Sequence, residues 1–149
     1  MIFGGKMKYS LFIDPEREEE IIIYAREKNS LVERIEEILD EGRASFIGYL
    51  QEEIVTLKPF AVECFFVEGG KLYAISGGKR YAMRERLYQL EAAVGDDFLK
   101  INQSAIVNVR AIEKFETSIG GSLRVRLKGG YTDYVSRRQL HAVKEKIGI

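Results

Sequence analysis

The chain has 149 residues, 46% of them hydrophobic and 31% charged, which is enough for one packed domain and a short appendage. No run of about 18 apolar residues is present, so we expect no membrane-spanning helix, and the first ten residues lack the apolar core of a signal peptide. One cysteine and one histidine exclude an internal disulfide, a thiolate metal cluster and a histidine-rich metal site. We therefore expect a cytoplasmic protein without a metal or cofactor.

The net charge of zero hides a split between the two halves of the chain. Residues 1–70 carry eight Lys/Arg against 15 Asp/Glu, whereas residues 71–149 carry 15 Lys/Arg against eight Asp/Glu. A basic second half favours an anionic partner. The alternative is that both halves pack together and mix their charges over one surface.

The first 43 residues predict a small α/β segment of two strands and a helix. The strands are expected at Lys8–Ile13 and Ile21–Tyr24. Ser30, with Glu33 three residues later, has the spacing of a capping box, so a helix is expected from Ser30 to Glu41, where Gly42 ends it. Its apolar face consists of Leu31, Ile35, Ile38 and Leu39.

From Ala44 onward, short strand-like runs alternate with glycine pairs, which favour tight hairpins because both positions tolerate positive φ. Helices are expected at Arg84–Val94 and after the N-cap Ser136. The predicted fold class is therefore mainly β, of the α+β type. The predicted strands are Phe46–Leu50, Glu53–Leu57, Phe60–Val67, Leu72–Ser76, Arg80–Met83, Phe98–Ile101, Ala111–Glu116, Leu123–Lys128 and Tyr131–Val135.

Catalytic chemistry finds little support in the sequence. Cys64 lies in an apolar strand pattern, which favours a buried, unreactive thiol, and His141 lies among basic residues of the last helix, where solvation is expected. Neither a GxxxxGK[ST] nor a GxGxxG motif is present. We expect no enzymatic activity and name no catalytic or metal-ligating residue.

Two polar clusters stand where a strand pattern breaks. The first contains Lys100, Asn102, Gln103 and Ser104, and the second contains Ser136, Arg137 and Arg138. Amide and guanidinium groups suit the edges of bases, and hydroxyl groups suit phosphate. The alternative is that the amides cap turns and the arginines are simply solvated.

From about Ala44 to Ile149 the chain resembles a LytTR-type DNA-binding domain, the effector module of many bacterial response regulators. Three stretches carry the resemblance: Phe65–Glu68, the frame from Phe98 to Ile112, and the ending from Gly129 to Arg138. The frame matches at Phe98, Lys100, Ser104, Val107, Asn108 and Ile112. It departs at Asn102 and Gln103, where the family usually has histidine and a basic residue, so the family's base preference is not carried over.

The resemblance implies about ten strands in small antiparallel sheets and a DNA-binding surface made of loops. Three loops would enter the major groove: Gly69–Gly70–Lys71, Asn102–Gln103–Ser104 and Ser136–Arg137–Arg138. Arg84, Arg86 and Lys100 would contact phosphates. The chemistry agrees, since a helix N-terminus with two arginines favours anions, arginine pairs well with guanine, and glutamine pairs well with adenine.

Residues 1–43 are too few for a receiver domain, so phosphorylation in cis is not expected. The chain resembles short, stand-alone members of the family, in which a separately encoded membrane protein often restrains the regulator. The helix from Leu31 to Leu39 would mediate such a contact or a homodimer; its alternative role is to cover the neighbouring sheet.

The sequence thus predicts a sequence-specific transcriptional regulator that binds double-stranded DNA through residues 44–149 and takes no small-molecule substrate. The alternative is a protein-interaction or anti-regulator module on the same β fold. A small hydrolase is a third, weaker reading, opposed by the lack of a paired nucleophile and base.

Overall fold

The computed structural model describes residues 7–39 and 45–149, and the chain divides into two units, residues 1–41 and 42–149. The sequence-based boundary at 43/44 and the helix stop at Gly42 lie outside the described residues.

The described part of the first unit contains one helix, α1 (Ser30–Leu39). Its N-cap is Asn29 rather than the predicted Ser30, because the Asn29 side-chain oxygen accepts a hydrogen bond from the N–H of Val32 at 3.0 Å. None of residues 7–39 is buried.

The prediction of two strands at Lys8–Ile13 and Ile21–Tyr24 is wrong, because these residues form neither a strand nor a helix. A strand needs a hydrogen-bonded neighbour. None of the strand pairs in the described residues includes this segment, and the side chains of Phe12 and Tyr24 are 86% and 91% exposed. Alternating sequence alone was therefore not sufficient to form them.

The second unit contains ten strands, two helices and two short 3₁₀ turns within residues 45–149, which confirms the mainly β prediction. The helices are α2 (Leu87–Ala93) and α3 (Arg137–Ile147). The strands are β1 (Phe46–Leu50), β2 (Glu53–Leu57), β3 (Val62–Glu68), β4 (Lys71–Ser76), β5 (Lys79–Met83), β6 (Phe98–Asn102), β7 (Ala105–Asn108), β8 (Ile112–Thr117), β9 (Leu123–Leu127) and β10 (Thr132–Val135).

Seven strands form one antiparallel sheet in the order β2-β1-β5-β4-β3-β7-β6, and the other three form a sheet in the order β10-β9-β8. The first sheet is larger than the small sheets that the resemblance implied. Strand β7 was not predicted, because its turn to β6 contains no glycine to mark it. It pairs with both β3 and β6 and so stands inside the sheet.

Strands β3 and β7 of the seven-stranded sheet are covered on both faces, as the residues of β3 show. Phe65 points into one core with Leu72, Ile106 and Leu90 of α2. Its neighbours Cys64 and Phe66 point into a second core, which the three-stranded sheet and α3 complete with residues such as Val125, Leu127 and Val143. Successive side chains of a strand face opposite sides, so burial on both faces explains the continuous apolar run in β3.

Cys64 is fully buried, as predicted. Burial raises the pKa of its thiol well above the ordinary value, and the nearby carboxylates of Glu63 and Asp133 raise this pKa further. The thiol therefore stays protonated and unreactive at neutral pH. His141 is exposed on α3, also as predicted.

Asn108 is the one polar residue among the buried side chains of the described residues. Its Nδ2 donates to the carbonyl oxygen of Val62 at 3.0 Å, and its Oδ1 accepts from the N–H of Arg110 at 3.0 Å. The Asn108 side chain thus links the end of β7 to the start of β3 by a hydrogen bond.

We predict that Asn108→Ala lowers the free energy of unfolding by about 1–3 kcal/mol, because it leaves a buried carbonyl and an N–H without their partner. Urea unfolding should show a lower midpoint with an unchanged slope. The control is Gln103→Ala, an exposed amide on the same hairpin, which should change stability by less than about 0.5 kcal/mol. Equal stability of the two variants would contradict this linking role.

Candidate nucleic-acid interface

The strand register brings the three predicted DNA-reading segments to one end of the seven-stranded sheet. Strands β3 and β7 are antiparallel, with Phe66 opposite Ala105, so the end of β3 lies beside the start of β7. The turn after β3 and the turn before β7 therefore share an edge, where the N–H of Val67 donates to the carbonyl oxygen of Ser104 at 2.8 Å. The start of α3 joins them, because the N–H of Ser136 donates to the carbonyl oxygen of Ile101 at 2.9 Å.

The first segment is the β3–β4 hairpin turn. Gly69 and Gly70 have φ values of +59° and +75°, a backbone conformation that side chains other than glycine rarely adopt. They place Lys71 opposite Glu68 at the start of β4, with its side chain exposed.

Arg80 of β5 supports this turn and was missed by sequence reasoning. Its guanidinium lies over the ring of Tyr73, with its carbon 4.0 Å from the ring centroid, and forms an ion pair with Glu68. Glu68 would otherwise present an uncompensated negative charge beside Lys71. The only sequence signal was a basic residue close behind a glycine-pair turn, which is too common to identify such a contact.

The second segment is the β6–β7 turn, formed by Gln103 and Ser104 between Asn102 and Ala105. The side-chain oxygen of Asn102 accepts from the N–H of Ser104 at 2.7 Å, and its NH₂ group donates to the carbonyl oxygen of Tyr134 at 2.8 Å. Gln103 stands exposed at the tip of the turn.

The third segment is the start of α3. Ser136 is its N-cap, as predicted, and its hydroxyl oxygen accepts from the N–H of Gln139 at 3.3 Å. Arg137 and Arg138 are the first two helical residues, and both are exposed. Within residues 7–39 and 45–149 neither forms an ion pair. Two unpaired cations thus stand where the helix dipole already favours anions.

The three predicted phosphate contacts lie near the same end of the sheet but in different settings. Met83 pairs with Leu72, so Arg84 and Arg86 leave β5 beside the β3–β4 turn, and both are exposed. The guanidinium of Arg84 lies over the ring of Tyr49, 4.6 Å from its centroid. Lys100, two residues before Asn102, forms an ion pair with Glu91 of α2 at 3.3 Å, so part of its charge is already compensated.

A cavity, a metal site and a membrane-spanning helix are the other features that bear on function. A surface cavity of about 430 Å³ lies beside Phe98 and Asn108, at the opposite ends of β6 and β7, and its charged lining residues are Asp96, Asp97 and Arg110. Within the described residues no group of three His, Cys, Asp or Glu side chains is arranged to hold a metal ion. Among the same residues, none of the helices combines the length and the apolar composition that a membrane-spanning helix needs.

Comparison with known proteins identifies the family of the chain. A family model described as the LytTr DNA-binding domain matches residues 52–148. An uncharacterized HTH-type transcriptional regulator from Staphylococcus aureus strain NCTC 8325 is 34% identical over 146 residues, which cover 96% of this chain and 99% of the relative. A counterpart from S. aureus strain MSSA476 is 33% identical with the same coverage.

A solved structure shares the fold. A LytTr DNA-binding domain from Bacillus cereus matches with a TM-score of 0.67 at 16% identity, covering 72% of this chain and 100% of that domain.

Within the described residues, α2 and α3 do not form a helix-turn-helix, although the S. aureus relatives carry that label in their names. In the described residues, α2 and α3 are separated by the five strands from β6 to β10. A helix-turn-helix needs two helices joined by a turn of three or four residues. The family match covers nearly all of the ten-stranded unit, and so the chain belongs to the LytTr family of DNA-binding domains.

Proposed function

We propose that the chain is a sequence-specific transcriptional regulator that reads the major groove of double-stranded DNA through the three segments at one end of its larger sheet. The observation that carries the proposal is the convergence of these segments, which the hydrogen bonds from Val67 to Ser104 and from Ser136 to Ile101 support. Each segment offers an exposed cation or amide, namely Lys71, Gln103, Arg137 and Arg138.

In this proposal, residues at the interface divide into those that read bases and those that hold phosphates. Gln103 and Arg138 read bases, because each can make two hydrogen bonds to one base edge. Lys71, Arg84, Arg86, Lys100 and Arg137 contact phosphates, and the hydroxyl groups of Ser104 and Ser136 contact the same backbone. Asn102 belongs to the same surface through its turn.

The mode of action we propose is binding without catalysis, in the cytoplasm. The family match and the S. aureus relatives support a regulator, and they do not favour the alternative of an interaction module without DNA. A gel shift with the promoter upstream of the gene encoding this chain is the direct test, followed by selection from genomic fragments if that promoter does not bind.

We further propose that residues 1–43 mediate a homodimer or a contact with a separately encoded membrane protein. The apolar side chains of Leu31, Ile38 and Leu39 on α1 are 45–65% exposed, which leaves one face of this helix available for a partner. The segment has seven basic and 11 acidic residues, a charge that would repel DNA.

The first prediction about DNA binding concerns the dependence of the affinity on salt concentration. If the basic residues hold phosphates, the logarithm of the affinity for DNA should fall linearly with the logarithm of the salt concentration, by about 0.9 per phosphate contact. Arg86→Ala should reduce that slope by about 1. Lys79→Ala is the control, because Lys79 is exposed at the opposite end of β5 and should leave the slope unchanged. An affinity insensitive to salt between about 50 and 200 mM would remove the phosphate contacts from the proposal.

The second prediction concerns base readout. Arg138→Ala should weaken binding to the specific site by about 1–3 kcal/mol and relax the preference at one base pair. Gln103→Ala should do the same at a different base pair, and Gln103→Arg should shift that preference toward guanine. Binding-site selection on each variant beside the parent measures this. If Arg138→Ala weakens all sequences equally and leaves the selected motif unchanged, Arg138 contacts phosphate instead.

The third prediction concerns the N-terminal segment. A truncated chain that begins at Ala44 should keep the base preference on a single half-site and bind paired half-sites more weakly, because the dimer is lost. Sedimentation of both chains and selection on single and paired half-sites check it. A folded truncation that loses its preference on the single half-site would contradict this division of roles.

A further inference from the structure

Both the oxygen and the NH₂ group of the Asn102 side chain form hydrogen bonds within the protein. Its oxygen accepts from the N–H of Ser104 at 2.7 Å, and its NH₂ group donates to the carbonyl oxygen of Tyr134 at 2.8 Å. These partners fix the orientation of the amide, because an N–H must face the oxygen and a carbonyl must face the NH₂ group. One planar group therefore joins the β6–β7 turn to the end of β10, two residues before the N-cap of α3.

We propose that Asn102 is a positioning residue, which sets the distance and angle between Gln103 in the β6–β7 turn and Arg138 at the start of α3. This inference rests on the proposed function, since it concerns how two base-reading groups are held relative to each other. It assigns Asn102 a role inside the protein rather than the contact with DNA that the sequence suggested.

The fold provides a second link between the same elements that does not depend on this side chain. The backbone N–H of Ser136 donates to the carbonyl oxygen of Ile101 at 2.9 Å, and Ile101 and Val143 of α3 are both fully buried in the same core. Helix α3 therefore stays on the sheet when Asn102 is replaced. Such a replacement leaves the β6–β7 turn free to move relative to the start of α3.

A rigid connection between two base-reading groups has a defined consequence for DNA recognition. Successive base pairs are about 3.4 Å apart, so one inserted base pair displaces one contact far beyond the range of a hydrogen bond. A preorganised pair of contacts penalises that insertion strongly. With the connection loosened, the altered spacing should be tolerated, while each group still prefers its own base.

The test compares Asn102→Ala and Asn102→Leu with the parent protein in its full length. Leucine branches at Cγ as asparagine does, with methyl groups in place of the amide oxygen and NH₂ group, so agreement of the two variants excludes an effect of empty space. In a selection library with normal spacing and with one inserted base pair, both variants should keep the preferences at the two base pairs read by Gln103 and Arg138. The affinity penalty for the insertion should fall about tenfold relative to the parent, since loss of a hydrogen bond has an effect of that order.

Gln103→Ala is the matched control from the same turn. It removes an exposed amide that reads a base, so it should lose the preference at one base pair, and the insertion penalty should fall with it, because the contact that the insertion displaces is already gone. The base preference therefore separates the two variants, since Asn102→Ala should keep the preference at both base pairs and Gln103→Ala should lose one.

A measurement without DNA tests the hydrogen bonds themselves. In Asn102→Ala, amide hydrogen exchange at Ser104 should become about tenfold faster, because its acceptor is gone, whereas exchange at Ser136 should stay at the parent's rate. In Gln103→Ala both amides should exchange as in the parent.

Two results would overturn the inference while leaving the proposed function intact. One is unchanged exchange at Ser104 in Asn102→Ala. The other is an Asn102 variant that loses the preference at one base pair, which is the behaviour of a direct contact, or that keeps the parent's full insertion penalty, which shows that the amide does not set the spacing. A parent protein that selects no sequence at all would overturn the proposed function, and the inference with it.

Discussion

The antiparallel pairing of β3 with β7 is the constraint on which the rest of the structure depends. It joins the five strands β2-β1-β5-β4-β3 to the β6–β7 hairpin and completes the seven-stranded sheet. Because Phe66 lies opposite Ala105, it also sets which hairpin turns emerge at the same end. A shift of one residue in this register would turn Phe65 out of its core and Phe66 into the wrong one, so the packing of both faces fixes the position of the turns.

At the end of the seven-stranded sheet that carries the three segments, charge compensation differs between the strands and the segment tips. Two acidic side chains near it, Glu68 and Glu91, form ion pairs with Arg80 and Lys100, which lie on strands of the sheet. The cations at the segment tips, Lys71, Arg137 and Arg138, are exposed and form no ion pair within the described residues. The surface thus keeps a positive field in a chain whose net charge is zero, because attraction to phosphate depends on where the charges stand. Such a distribution of charge suits a DNA-binding transcriptional regulator, because exposed cations attract phosphates.

Much of the fold could be predicted from local patterns, and the failures have physical causes. Gly69–Gly70 and Gly77–Gly78 marked hairpins correctly because their conformation is a local property of the backbone. The strand β7 was missed because Gln103 and Ser104 make a tight turn without glycine, held by the Asn102 side chain. Lys8–Ile13 looked like a strand by alternation, but pairing depends on a partner that the pattern cannot supply.

The residue clusters of the candidate site could be predicted from the sequence, but the side-chain contacts within the site could not. The clusters around Gln103 and Arg138 were found from residue type, from their position at strand ends and from the family resemblance. The contacts of Asn102 with Tyr134 and of Arg80 with Glu68 were not foreseen, because they join segments that lie 32 and 12 residues apart in the chain. Such contacts depend on the register of the whole sheet.

The position of Gln103 at the tip of a two-residue turn has a consequence for evolution. The conformation of the turn is held by the strands on either side and by the amide of Asn102, and the Gln103 side chain contributes to neither core. Substitutions at this tip therefore carry little risk of unfolding the domain. With Gln103 reading a base as proposed, a duplicated gene would acquire a new target sequence through single changes here, without the compensating mutations that a recognition helix packed against its own core would demand. Divergence of regulatory networks built on this fold should accordingly proceed at its turns, while its strands change slowly.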